Sequence, residues 1–244
     1  MVKIIAVDGD IPAYMASTIS EDKFQWPGCE ASSITDEDKA TEYIDNFVTE
    51  LYKKFGEDIK IIFTLSDDEN FRKQLLPTYK GNRKDIKKPE LLKFCKDYIM
   101  DNYNCYVFPR LEGDDVLGII ATSPKVKGEV IIATLDKDLK QIGVPIWDFK
   151  NKKMVQPEPF FFWTQVLSGD RVDGFNGLPR VGEKTARKIL EGISEEDYWK
   201  VIIEAYESKG MSEEDALITA RMAYILRDKD YNRKTGKVKL WKPA

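Results

Sequence analysis

Four short aliphatic and β-branched runs, at residues 3–7, 60–64, 105–108 and 129–134, alternate with longer stretches of helical periodicity. No other feature constrains the fold as much. Strand, helix, strand in repeated succession predicts parallel pairing through right-handed crossovers. The expected class is therefore α/β, with a mostly parallel central sheet and flanking helices. Residues 36–55 give the clearest helix, with Tyr43, Phe47, Leu51 and Phe55 at four-residue spacing, and 89–103 give another, opened by Pro89 in its first turn. Beyond residue 157 the strand signal fades, and helical stretches follow at 160–167, 184–190, 195–207 and 212–227. The pattern predicts an α/β core at 1–156 and a helical lobe at 157–244, packed closely because no low-complexity linker separates them.

Open parallel sheets bind ligands at the carboxyl ends of their strands, and acids stand at those ends here. Asp8 follows the first strand; Glu112, Asp114 and Asp115 open the helix after the third; Asp136 and Asp138 follow the fourth. Asp170 and Asp173 are three apart, on one face if that turn is helical. A single acid at a helix start is usually an N-cap, but capping needs one acid per helix and leaves these groups unexplained. Gathered together they repel, each pair about 4 Å apart costing roughly 4 kcal/mol at an effective dielectric near ~20. Cations relieve such crowding. The chain has no histidine, so the usual general base and zinc ligand are missing, and an all-carboxylate site favours a hard ion, Mg²⁺ with Mn²⁺ as substitute. Cys29, Cys95 and Cys105 form no CxxC pair and suggest neither a zinc ribbon nor a disulfide framework.

A formal charge of −4 disfavours a polyanionic partner, but its distribution does not. Between residues 71 and 88 seven basic side chains (Arg72, Lys73, Lys80, Arg83, Lys84, Lys87, Lys88) face Asp85 alone, and the tail at 227–242 is also basic. Such a run reads either as a solvated loop or as a positive face. Lys80 and Arg83, one turn apart, suit a phosphate, and Tyr79 suits stacking on an unpaired base. Residues 177–186 read as a hairpin between helices, whose glycines and free N–H groups suit duplex backbone. No apolar run reaches the length of a membrane span, so the cytosol is the default compartment and no membrane partner is expected.

Taken in order, these segments resemble the 5′-nuclease (flap endonuclease) family, and the small bacteriophage 5′-3′ exonucleases in particular. Phe71-Arg72 through Leu76-Pro77-Thr78-Tyr79-Lys80-Gly81-Asn82-Arg83 is similar to the family's FR…P.YK.NR segment, and Leu111-Glu112-Gly113-Asp114-Asp115 to its YEADD motif. Thr134-Leu135-Asp136-Lys137-Asp138-Leu139 resembles S.DKDL. Gly169 to Asp173 and Gly177 to Ala186 resemble the family's glycine-rich signature before KTA. The resemblance spans about residues 1–192.

It implies a PIN-like (resolvase-like) nuclease core with a basic arch at about 67–88 and a DNA-binding helical hairpin at about 170–192. It also implies Mg²⁺-dependent 5′-3′ exonuclease or flap endonuclease activity by two metal ions, releasing 5′-phosphorylated products. Asp8, Glu112, Asp114, Asp115, Asp136, Asp138, Asp170 and Asp173 carry over as metal ligands, the last four mainly for the second ion, with Lys80, Arg83 and Asp136 catalytic. Arg72, Tyr79, Lys80, Arg83, Lys84, Gly177, Gly182, Lys184, Thr185 and Lys188 carry over as DNA contacts, and a K⁺ ion at the hairpin. The implied partner is DNA with a 5′ end at a duplex terminus, nick or flap, or an RNA–DNA hybrid, met in the host cytoplasm during primer removal, replication, recombination or DNA degradation. One departure stands out: Thr64 follows Phe63 where the family places an aspartate, and Asp67 or Asp68 is left to supply that charge.

Three rival readings remain. Asp8-Gly9-Asp10 with Asp170 and Asp173 also resembles haloacid-dehalogenase-type phosphatases, with Asp8 as nucleophile. A PIN-type ribonuclease would keep the sheet and acids without the hairpin, and a non-catalytic DNA-binding protein would use the hairpin alone.

Overall fold

The computed structural model describes residues 3–24, 28, 32–83 and 86–243; Cys29 and Lys84 lie outside them. The first half contains β1 (Lys3–Asp8), α1 (Asp10–Ile19), β2 (Glu21–Phe24), β3 (Ser32–Thr35), α2 (Glu37–Phe55), β4 (Ile59–Thr64), the short α3 (Arg72–Leu75), α4 (Leu92–Asn102), β5 (Cys105–Tyr106) and α5 (Gly113–Ala121). After these come β6 (Glu129–Ala133), β7 (Ile146–Asp148), β8 (Lys153–Val155), α6 (Phe160–Ser168), β9 (Gly169–Asp170), β10 (Phe175–Asn176) and α7 (Glu183–Ile189). The chain ends with α8 (Tyr198–Glu207), α9 (Glu213–Ala223), β11 (Tyr231–Asn232) and β12 (Lys237–Val238).

Among the described residues, six strands form one sheet in the order β5-β4-β1-β6-β7-β8, parallel except for β8. Alternation along the central strands explains why both faces are covered. Ile4, Ala6, Ile62, Val130 and Ile132 point into one core with α5. Ile5, Val7, Ile61, Phe63, Ile131 and Ala133 point into the other, beneath α1, α2 and α4. A strand buried on both sides loses the polar alternation of an open sheet and reads as a continuous apolar run.

The helices follow their sequence signals with one shift of face. Asp36 caps α2, accepting from Lys39 N at 2.9 Å. Its buried column is Ala40, Ile44, Val48 and Leu51, while the aromatic column of Tyr43, Phe47 and Phe55 packs beside it, partly exposed. Small and branched residues reach the sheet, and the larger rings close the flank.

Phe162, Val166, Leu167, Phe175, Ala186, Ile202, Tyr206 and Ala220 build the separate core of the helical lobe. The expected helix at 212–227 ends at Ala223, because the following backbone is captured by the α/β core. Gln141 Nε2 donates to Ala223 O at 3.0 Å, Ile225 N donates to Gln141 Oε1 at 3.0 Å, and Leu226 N donates to Asp115 Oδ1 at 3.1 Å. Ile225, Leu226 and Tyr231 thereby enter the α/β core, so the tail belongs to both halves. A Cβ on Gly118 would collide with the Leu226 carbonyl, which is how closely α5 takes the tail. Cys95 and Cys105 are free thiols, and no helix among the described residues is long and apolar enough to cross a membrane.

Candidate active site

The parallel strands bring β1, the start of α5 and the turn after β6 to one end of the sheet. There a cleft of about 860 Å³ is lined by Asp8, Asp10, Asp67, Asp68, Glu112, Asp114 and Asp136, faced by Lys73, Lys80, Arg83, Lys88 and Lys96. Asp8 ends β1 and is 5% exposed; it accepts from Thr134 Oγ1 at 3.0 Å. Asp136 Oδ1 accepts from Asp138 N at 2.8 Å, turning the chain so that Asp138 faces inward.

Asp173 joins from the helical lobe. Arg83 Nη2 donates to it at 2.5 Å, Lys80 Nζ lies 3.6 Å away, and Tyr79 Oη donates to it at 3.3 Å. Lys80 also pairs with Glu112, and Tyr79 Oη donates to Glu112 at 2.9 Å. Lys80 is held in place by a left-handed backbone, φ 53°, and by donating its N–H to Asp173 O at 2.8 Å. Asp170 and Asp173 share no helical face, because Asp170 ends β9 and Asp173 lies in the turn leading to β10, where Asp170 Oδ1 accepts from Val172 N at 2.7 Å and Asp173 N at 3.2 Å.

Titration behaviour shows the acids crowding one another. Burial, then the charges of Asp10 and Asp136, pushes Asp8 from 3.8 to about 8. Burial, then Asp136, raises Asp138 to about 7, with Asp170 adding to the push. Asp114 is pushed well up by burial and by Asp8 and Asp136. Burial also raises Asp173, against the pull of Lys80 and Arg83. Glu112 goes the other way: burial opposes its ionisation, but Lys80 and Arg72 outweigh it and hold the carboxyl at about 2. One continuous field thus runs from Asp8 through Asp136 and Asp138 to Asp170 and Asp173.

This donor set suits hard divalent cations. Among the described residues no three carboxylates are drawn together tightly enough to cage an ion as they stand. Lys80, Arg83 and Tyr79 occupy Glu112 and Asp173, and backbone N–H groups hold Asp136 and Asp170. The fit appears in what is left over: Asp138 Oδ1 is buried without any partner, and Asp8 and Asp114 bear repulsion that added positive charge would relieve.

Several sequence expectations change place. Asp115 is fully buried and locked to Arg72 by bonds of 2.6 and 2.9 Å, so it is closed to an ion in this arrangement. Arg72 is 3% exposed and is not a DNA contact as placed. Its guanidinium also donates to Met222 O at 3.1 Å and Tyr224 O at 2.7 Å, tying the α/β core to the helical lobe. Tyr79, 3% exposed and stacked on Phe175, has no face free for a base. Gly177 is buried where the chain crosses Gly169, a site where any Cβ would strike backbone, so its role is the crossing and not an outward N–H. Gly182, Lys184, Thr185 and Lys188 are exposed together at α7.

The missing charge at Thr64 is not replaced in place, since its buried hydroxyl donates to Gly113 O at 3.1 Å. Asp67 lines the cleft but accepts from Arg110 N at 2.6 Å, and Asp68 lies exposed at the rim. Asp10 is the acid that sequence reasoning missed. It accepts from Ser66 N at 2.9 Å, pairs with Lys96 at 2.5 Å, and its charge opposes the ionisation of Asp8. Its signal was the spacing Asp8-Gly9-Asp10, where Gly9 lets β1 and β4 close up through Gly9 N donating to Thr64 O at 2.8 Å.

Fold and site together define a class, a resolvase-like α/β domain with an acid-lined cleft at its strand ends and a helical lobe beside it. Residues 24–161 match the family described as 5′-3′ exonuclease, N-terminal resolvase-like domain, and the chain belongs to that family. It is 28% identical to the exonuclease of Escherichia phage T7 over 98% of this chain and 93% of that one. It is 27% identical to the flap endonuclease Xni of Shewanella baltica over 64% of this chain and 66% of the relative. In fold it resembles the phage T5 5′-exonuclease with bound zinc (TM-score 0.66, 17% identity, 91% of this chain and 89% of that one). It likewise resembles the phage T5 flap endonuclease complex with DNA and metal ions (TM-score 0.66, 15% identity, 91% and 88%).

Proposed function

We propose that the protein is a divalent-metal-dependent 5′-3′ deoxyribonuclease and flap endonuclease, hydrolysing phosphodiester bonds in the cleft at the sheet's carboxyl end. The observation that carries this is the meeting of Asp8, Glu112, Asp114 and Asp136 from the α/β core with Asp173 from the helical lobe, around Lys80 and Arg83. Asp8, Glu112 and Asp114 would hold one ion and Asp138, Asp170 and Asp173 a second, with Asp136 between them; Mg²⁺ is the natural occupant and Mn²⁺ a substitute. When bound, two such ions acidify an attacking water and steady the leaving oxygen, which answers the lack of histidine.

The chain's own residues do the rest. Lys80 and Arg83, now paired with Glu112 and Asp173, are the side chains that would bind the scissile phosphate, which would leave those two carboxylates free to hold ions. Tyr79 keeps its hydroxyl on Glu112 and props the arch that carries both bases. Asp115 and Arg72 hold α3 and α5 against the helical lobe, so the two halves of the acid set keep register. Exposed Gly182, Lys184, Thr185 and Lys188 grip duplex backbone without reading bases, with K⁺ as the cation expected at the hairpin. The substrate is DNA with a 5′ end, at a terminus, nick or flap, or an RNA–DNA hybrid. The products carry 5′-phosphates, and the setting is primer removal, recombination or DNA breakdown in the cytoplasm. The match to the 5′-3′ exonuclease family supports this polarity, and the similarity to the T7 exonuclease and to the flap endonuclease Xni supports the exonuclease and flap activities.

The phosphatase alternative leaves Lys80 and Arg83 at the cleft and the exposed residues of α7 without a role. End-labelled duplexes with blunt, recessed and flapped 5′ ends, with and without Mg²⁺, test the proposal. Mg²⁺-dependent release from the 5′ side is expected. A complete lack of metal-dependent cleavage refutes the enzyme, and attack from 3′ ends alone refutes the polarity.

A further inference from the structure

Helix α6 reads FFFWTQVLS, and Gln165 sits in its middle only 3% exposed. Buried amides without partners are uncommon, yet neither Oε1 nor Nε2 of Gln165 meets a hydrogen-bond partner. Its neighbour Thr164 shows how α6 hides a polar group, donating its hydroxyl to Phe161 O at 2.7 Å. Gln165 is too long for that local solution. It lies on the wall of the groove that holds Lys137 and Asp170, where α6 packs on the turn Lys137–Ile142. On that turn stands the other orphan, Asp138 Oδ1, also buried and unpartnered.

We infer that Gln165 is a positioning residue for the Asp138–Asp170–Asp173 site: its amide N–H fixes the Asp138 carboxylate, and its carbonyl oxygen accepts a hydrogen bond from water carried by a cation bound there. This rests on the metal-dependent function proposed above. A carboxamide is suited to the task because it donates and accepts at once. Mg²⁺ keeps several of its waters when bound by carboxylates, and their hydrogens need acceptors that the fixed acids alone do not supply. A bound, hydrated ion would satisfy the two orphan acceptors, Asp138 Oδ1 and Gln165 Oε1, while the Asp138 carboxylate, fixed in place, would accept from Gln165 Nε2.

Mn²⁺ titration of the full chain without DNA, followed by electron paramagnetic resonance and calorimetry, reads the two ion sites directly. In the wild type two classes of bound ion are expected. Gln165→Leu keeps the volume and removes both hydrogen-bonding atoms; it should weaken one class by about 10- to 100-fold, leave the other unchanged, and leave the metal-free melting temperature equal or higher. Gln165→Glu keeps an acceptor and adds charge, so it should tighten that class beyond the wild type. In turnover, Gln165→Leu should move the Mg²⁺ midpoint of kcat upward with KM for DNA unchanged.

Two unchanged ion classes in Gln165→Leu overturn the inference while leaving the proposed function standing. A defect confined to KM for DNA overturns it as well, placing Gln165 on the substrate. If Gln165→Leu does not fold, Gln165→Glu decides alone, and an unchanged isotherm refutes the positioning role. A wild type that binds no ion in the cleft removes the proposed function itself.

Discussion

Replacing Asp8 by Asn should make the metal-free protein more stable at pH 8 while removing the part of its Mg²⁺ response that belongs to the Asp8–Glu112–Asp114 site. The carboxyl is buried beside Asp10 and Asp136 and rises from 3.8 to about 8. Because the folded state holds this proton more tightly than the unfolded chain, stability is full below about pH 4 and is lost as the pH climbs toward 8. From 3.8 to about 8, at about 1.4 kcal/mol per pH unit, the loss is on the order of 5 kcal/mol. Asn removes the titration and keeps the shape, including an oxygen for the Thr134 hydroxyl. Urea unfolding at pH 5 and pH 8, with EDTA or Mg²⁺, measures the effect. Without metal, the wild type should lose several kcal/mol across that range and the variant less, its remaining loss coming from Asp114 and Asp138. With Mg²⁺ at about 100 times the Kd of each site, the wild type should regain about 2.7 kcal/mol per ion, and the variant only the share of the Asp138–Asp170–Asp173 site. A metal-free wild type that grows more stable from pH 5 to pH 8, or a variant weaker than wild type at pH 8, refutes the reasoning.

Arg72→Ala leaves Asp115 buried and unpaired, so it should cost about 3–5 kcal/mol in urea unfolding, whereas Arg72→Met with Asp115→Leu should recover most of that loss. Lys80→Ala and Arg83→Ala should each weaken DNA binding and cleavage together, by about 10- to 100-fold, as expected for one charge-assisted phosphate contact. Exposed Arg83 should leave folding stability nearly unchanged, which equilibrium unfolding checks. Lys184→Ala with Lys188→Ala should lower duplex affinity equally for unrelated sequences and reduce the slope of log K against log salt by about 2.

Much of the architecture was legible because a parallel sheet covered on both faces leaves continuous apolar runs, and β1, β4 and β6 were located to within a residue or two. The acids were legible because parallel topology places every strand exit on the same side. What stayed hidden depended on partners distant in sequence. Arg72 looked like one more charge in a basic run, but its partner Asp115 lies 43 residues on and its carbonyl acceptors lie beyond residue 220. Tyr79 looked exposed for the same reason, and only Phe175 and Glu112 show why it is buried. The helical pattern at 212–227 continued past Ala223, and only the capture of that backbone by Gln141 and Asp115 ended the helix there. Asp10 entered only the phosphatase reading, as part of Asp8-Gly9-Asp10, since its effect on Asp8 needs the curl of Gly9 between them.

Mn²⁺ soaked into crystals of the protein, with anomalous scattering recorded at the manganese edge, tests the central claim most directly. Two peaks are expected in the cleft. One is bounded by Asp8 and Asp114, the other by Asp138, Asp170 and Asp173, with Asp136 between them and Lys80 and Arg83 withdrawn from Glu112 and Asp173. An empty cleft beside peaks at surface acids would contradict the account.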